Sequence, residues 1–186
     1  MSKIAVIFPG IGYNADKPLL YHAGKLAASF GYEVIRISYP ACDVNLKTAD
    51  SSQIGAFVGD CLETVQRSLD TVSLKEADGI LFISKSIGTA IAAAYATTLD
   101  LHIDHIYFTP LEETFKYAAP ESGIAFNGDS DPWADHNVIR RLCGEKRIPL
   151  TTFEGANHSL ETGDVLADIE TLGTVMTAVK KHIKSV

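Results

Sequence analysis

Three side chains able to break an acyl bond together are spread along the chain: a serine at 86, an acid near 131 and a histidine at 158. The serine lies where an apolar run, Gly79 to Ile83, passes into a small-residue stretch, Gly88 to Ala94. Ser84-Lys85-Ser86-Ile87-Gly88 matches a nucleophile elbow with serine in place of its first glycine. On such an elbow the nucleophile occupies a strained strand-to-helix turn. Positions two before and two after it must be small, or strand and helix collide. The following helix N-terminus offers amides to an oxyanion. A serine that merely caps this helix is the plainer alternative.

The histidine stands in Phe153-Glu154-Gly155-Ala156-Asn157-His158-Ser159, a polar loop between the last apolar run and the final helical stretch. A base there can swing over a sheet edge. The acid comes from Asn127-Gly128-Asp129-Ser130-Asp131-Pro132-Trp133. Asp131 could orient the imidazole and stabilise its charged form. Asp129 is the main competitor and Asp135 a weaker one, since Asp at such places also makes Asx turns and helix caps. The chain order serine, acid, histidine is that of the α/β-hydrolase motif.

The elements that must carry these residues follow from periodicity. Strands are expected at Ile4–Phe8, Glu33–Ser38, Gly79–Ser84, His105–Phe108, Ile124–Asn127 and Pro149–Phe153. Helices are expected over 16–30, 51–70, 87–99, 135–144 and 164–184, the last with a Val165, Ile169, Leu172, Val175, Met176, Val179, Ile183 stripe. Gly31 reads as the stop of the first helix, and Asp50, Ser51 or Ser52 as the cap of the second. This alternation predicts an α/β fold: a three-layer sandwich around a mostly parallel sheet of about six strands, in a single domain spanning 1–186. Functional loops of such a sheet lie at its carboxyl ends. Here those are Pro9–Asn14, Tyr39–Asn45, Lys85–Gly88, Thr109–Thr114, Gly128–Trp133 and Glu154–Ser159. The stretch 109–122 is the only candidate for a lid, and it is short.

Composition excludes other classes. The chain has 186 residues, 46 % hydrophobic and 21 % charged, which suits a globular core and not disorder or coiled coil. Net charge is −7 and no basic run of five exists, so no nucleic-acid partner is expected. Cys42, Cys61 and Cys143 form no CxxC or zinc spacing and read as small buried hydrophobes. No apolar stretch is long enough for a membrane span, and the opening apolar run is too short for a signal-peptide core; a cytoplasmic protein with no membrane partner is the expectation.

On Phe8-Pro9-Gly10-Ile11-Gly12, Gly31-Tyr32-Glu33-Val34, Ser84-Lys85-Ser86-Ile87-Gly88, Gly128-Asp129-Ser130-Asp131 and Gly155-Ala156-Asn157-His158, the chain resembles a small, lid-less α/β-hydrolase of the dienelactone-hydrolase-like and uncharacterised esterase-like kind. The resemblance spans nearly the full length. It implies that Asp131, three residues after the glycine ending its strand, is the acid. It also implies that the usual first two antiparallel strands are missing. Ser84 replaces a glycine, and Phe8-Pro9 stands where many members carry His-Gly.

Gly10-Ile11-Gly12-Tyr13-Asn14-Ala15 also fits the dinucleotide pattern G-x-G-x-x-A. That pattern wants an acid at the end of the second strand, where Arg36-Ile37-Ser38-Tyr39-Pro40 has none. In the hydrolase reading the same loop gives an oxyanion amide, Ile11 first and Gly12 next, with the Ile87 amide as second donor. Gly12, Tyr13, Leu111 and Trp133 are candidate substrate contacts, with Phe115 beside them. Lys85 reads as half of a structural ion pair more readily than as a binder of anionic substrate. His22, His102, His105, His136 and His182 read as structural or solvated.

The expectation is a serine hydrolase acting on an ester, thioester or related acyl bond of a small soluble molecule, through Ser86, His158 and Asp131, with no metal and no organic cofactor. The alternatives are a non-catalytic binding or scaffold protein of the same fold, and a nucleotide-binding α/β protein. Oligomeric state stays open, a homodimer included.

Overall fold

A computed structural model describes residues 2–39 and 48–186. Cys42 and most of the Tyr39–Asn45 loop lie outside the described residues. Six strands alternate with helices: β1 Lys3–Phe8, α1 Pro18–Ser29, β2 Tyr32–Arg36, α2 Ser51–Leu69, β3 Gly79–Lys85, α3 Ile87–Thr97, β4 Asp104–Phe108, α4 Thr114–Tyr117, β5 Gly123–Gly128, α5 His136–Glu145, β6 Leu150–Phe153 and α6 Val165–Ile183. The sheet order is β2-β1-β3-β4-β5-β6, and every pairing in it is parallel.

Strand alternation sorts the core into two layers. Ala5, Ile7, Leu81, Ile83, Ile106 and Phe108 face one side, where α1 and α6 cover them with Leu20, Ala23, Val175 and Val179. Val6, Phe8, Ile80, Phe82 and Tyr107 face the other side, against α2, α3 and α5. The apolar runs are continuous because the central strands are covered on both faces. Edge strand β6 is only half covered, and its Thr151 and Thr152 are exposed.

Local chemistry sets the element ends. Asp50 caps α2 and closes a capping box with Gln53. Gly31, at φ +84°, follows α1 and donates its amide to Ala28. The 109–122 stretch makes no lid. Its one helical turn, α4, docks on α3 through a hydrogen bond between Thr114 and Thr89. The strand order reverses at β1, whose two neighbours are β2 and β3, so a crevice opens at the carboxyl ends of β1 and β3. Among the described residues no helix is long and apolar enough to cross a membrane.

Candidate active site

Ser86 lies in that crevice. It follows the last residue of β3 and caps α3 at φ 57°, ψ −128°, a backbone conformation that non-glycine residues adopt only at some cost, about 1–3 kcal/mol. The turn survives because its flanks are small. A Cβ on Gly88 would collide with the carbonyl oxygens of Phe8 and Pro9. One on Gly10 would come within 3.1 Å of the Ser86 Cβ. Ser84 tolerates its place because its hydroxyl finds the Ile106 carbonyl at 3.2 Å while the side chain stays fully buried.

Gly128 ends β5, and the Gly155–Asn157 backbone passes directly over it. Ser130 donates its amide to Ala156 O at 3.1 Å, and Gly155 donates to Asp129 Oδ1 at 2.7 Å. Asn157 then folds the next residues by accepting the Ser159 amide at 2.7 Å. His158 emerges from this clamp pointing at the end of β3.

The three side chains meet. His158 Nδ1 lies 2.7 Å from Asp131 Oδ2, and Nε2 lies 2.7 Å from Ser86 Oγ. An ionised carboxylate only accepts, so Nδ1 carries the hydrogen of the neutral ring and Nε2 accepts from the serine hydroxyl. The Asp131 side chain is fully buried, and its other oxygen accepts the Trp133 amide at 2.8 Å. Asp129 instead holds the histidine loop, and Asp135 caps α5 by accepting from Asn137 and Val138. Burial holds the His158 pKa below its ordinary value, the Lys85 charge pulls the same way, and Asp131 opposes both.

The other candidates fall on two sides of this chain of hydrogen bonds. Trp133 stacks on the His158 ring with centroids 5.4 Å apart. Leu111 is nearly buried in the core and shares with Trp133 and Ile54 the wall of a hollow of about 520 Å³. Tyr13 lines a second groove of about 390 Å³ with Leu19, Leu160 and Leu172, and its hydroxyl accepts the Leu19 amide at 3.1 Å. Gly12, at φ +76°, makes the tight turn in which Gly10 and Tyr13 exchange backbone hydrogen bonds. The Ile11 amide donates to no acceptor among the described residues. The Ile87 amide opens α3, where no acceptor within the helix exists.

One expectation changes, and one alternative loses support. Lys85 makes no ion pair within 4 Å among the described residues; its buried ammonium lies over the Tyr13 ring, 5.0 Å from the centroid. Strand alternation turns it inward beside Leu81 and Ile83, away from any surface partner. The glycine loop also lacks dinucleotide geometry. Gly10 and Gly12 close a turn of their own, and α1, the helix that follows this strand, starts only at Pro18, so the loop glycines do not open it. Arg36, at the end of β2, is engaged by Asp16 at 2.7 Å.

No protein-family model matches this chain, and no curated protein matches it. Solved structures do. A serine hydrolase without a lid from Xanthomonas campestris aligns at TM-score 0.66 and 14 % identity, over 98 % of this chain and 81 % of its own. A serine hydrolase homologue from Coxiella burnetii aligns at TM-score 0.65 and 15 % identity, over 97 % and 84 %. Est1E from Butyrivibrio proteoclasticus, solved with ferulic acid bound, aligns at TM-score 0.69 and 12 % identity, over 100 % and 89 %. At these identities the likeness speaks for the fold, which is that of the lid-less α/β-hydrolases.

Proposed function

We propose that this chain is a serine hydrolase that cleaves an ester or thioester of a small molecule. The observation that carries the reading is the unbroken Ser86–His158–Asp131 chain, with both links at 2.7 Å. Ser86 Oγ attacks the substrate carbonyl carbon while its proton passes to His158 Nε2. The carbonyl π electrons move onto oxygen, and the amides of Ile11 and Ile87 receive that oxyanion. One such preset donor contributes about 3–4 kcal/mol to the transition state. When the tetrahedral intermediate collapses, His158 gives its proton to the leaving oxygen or sulfur and an acyl-Ser86 ester remains. Water, deprotonated by the same imidazole, repeats the sequence and releases the acid. Asp131 holds the Nδ1–H tautomer and stabilises the imidazolium. Burial favours a resting His158 that is neutral and able to accept a proton.

Two grooves adjoin residues next to the triad: Trp133, which stacks on His158, and Leu111 line one together with the charged Glu112, Lys116 and Arg141, and Tyr13, Leu19 and Leu160 line the other beside Ser159. Among the described residues no inserted segment forms a lid, which suits a small substrate that reaches Ser86 directly. The test is labelling by a fluorophosphonate, alongside hydrolysis of short p-nitrophenyl esters. Both are expected in the wild-type protein and both are expected to vanish in Ser86→Ala. Absence of both in folded wild-type protein would instead favour a scaffold that keeps the geometry without turnover.

A further inference from the structure

The reaction above uses no residue of α6, yet the first half of that helix is apolar where it meets solvent. Val165 is 71 % exposed and Ile169 59 %. With Leu172 they stand four and three residues apart, so the three share one helix face. A helical apolar stripe is expected to face the core. Only the second half of this one does, through Val175, Val179 and Ile183.

The exposed half lines the groove of about 390 Å³ that also holds Tyr13, Leu19 and Leu160. Leu160 is 2 % exposed and sits at φ 61°, a backbone region that bulky residues rarely adopt. That turn puts a leucine into the groove lining two residues after His158. Asp168 accepts the Thr162 amide at 2.6 Å and the Thr162 hydroxyl at 2.9 Å, which ties the loop to α6 and sets the groove's shape in advance.

The groove adjoins the reacting groups at two points. Ser159, in its lining, directly follows His158. Tyr13, also in its lining, exchanges backbone hydrogen bonds with Gly10. Gly10 in turn packs so close to the nucleophile that a Cβ on it would come within 3.1 Å of the Ser86 Cβ. The lining holds two carboxylates, Glu161 and Asp168, and no cation among the described residues. Lys85 lies over the Tyr13 ring but outside the lining. Such a surface repels an anionic chain and accepts an aliphatic one. Its volume is at the lower end of small-molecule clefts, about 300–1,000 Å³.

We propose that this groove is the subsite for an aliphatic chain of the ester substrate, with Val165, Ile169 and Leu172 as specificity-determining residues. The proposal rests on the hydrolase reading of Ser86. A chain laid along the stripe removes its own surface and that of Val165 and Ile169 from water. That binding energy, gained away from the scissile bond, raises kcat/KM as the chain lengthens.

The test uses two ester series. One lengthens the acyl side, from p-nitrophenyl acetate to p-nitrophenyl octanoate. The other lengthens the alcohol side, from ethyl acetate to hexyl acetate. In wild-type protein kcat/KM is expected to rise about two- to fourfold per added methylene in one series. The series that rises tells which side of the ester the groove holds. In Ile169→Asp the ratio of longest to shortest ester in that series should fall at least about tenfold, because the chain then meets a charge. Two flat series overturn the proposal, and so does a rise that Ile169→Asp leaves intact.

A second measurement needs no turnover. Octanamide titrated into folded Ser86→Ala protein should shift the methyl NMR signals of Leu160, Val165, Ile169 and Leu172. Unmoved signals overturn the subsite. If wild-type protein hydrolyses no ester, the hydrolase reading fails on that result, and this titration still decides whether the groove takes an aliphatic chain. Light scattering covers the remaining occupant: a wild-type dimer that Ile169→Asp splits would put a second copy of the chain on the stripe and overturn the proposal.

Discussion

Gly128 and Ala156 are in backbone contact: a Cβ on Gly128 would run into the Ala156 carbonyl. This crossing fixes the height at which the β6–α6 loop passes over β5, and so fixes His158 two residues later. Gly128→Ala is expected to lower stability by about 2 kcal/mol or more in denaturant unfolding. It is also expected to cut kcat/KM by roughly 10²-fold, because a displacement of about 1 Å breaks a 2.7 Å contact with Ser86. Wild-type activity in this variant would show that the loop finds His158 its place by other means.

Asp131 and Asp129 are two residues apart and do different work. Asp131→Asn presents the wrong hydrogen-bonding partner to Nδ1, and kcat/KM should fall by about 10³–10⁴-fold with little change in fold. Asp129→Asn keeps an oxygen for the Gly155 amide. Its rate should stay within about threefold of wild type, with a slightly lower melting temperature. Equal losses in the two variants would undo the assignment of the acid.

His105 lies far from the site, on β4 between the rings of Phe82 and Tyr107. It is fully buried, and its Nδ1 has no hydrogen-bond partner among the described residues. Burial, assisted by His102, drives its pKa down to about 3. The unfolded chain takes up this proton near 6.5 and the native chain resists it. Native stability is therefore lost as pH falls from about 6.5 toward 3, by up to about 5 kcal/mol. His105→Leu is expected to shift the acid-unfolding midpoint to lower pH, followed by circular dichroism, with hydrolysis at neutral pH unchanged. An unmoved midpoint would place the acid sensitivity elsewhere.

The fold is largely legible in the chain because its signals are local and agree with one another. Apolar runs such as Ile80–Ile83 mark doubly covered strands, Gly31 and Asp50 mark helix ends, and each expected strand overlaps an observed one. Ser86 is legible for a similar reason: the elbow demands small residues at fixed offsets, and the clash that Gly88 avoids is the physical cause of that demand. Asp131 is harder, since three nearby aspartates each have a use. Only the crossing of the histidine loop over β5 separates their roles. Lys85 is legible only through alternation, since it shares a face with Leu81 and Ile83 and must point into the core. Its charge alone reads as half of a structural ion pair, and the period of the strand wins. The stacking of Trp133 on His158 joins residues 25 positions apart and leaves no local pattern.

The central claim is that the hydroxyl held by His158 is a nucleophile. The most direct measurement is intact mass and peptide mapping of the folded protein after treatment with a fluorophosphonate. One adduct is expected, with the P–F bond broken and phosphorus on Ser86 Oγ. Its rate of formation should fall sharply in His158→Ala, and no adduct should form in Ser86→Ala. Folded wild-type protein that takes no adduct, or takes one on another residue, would contradict the claim.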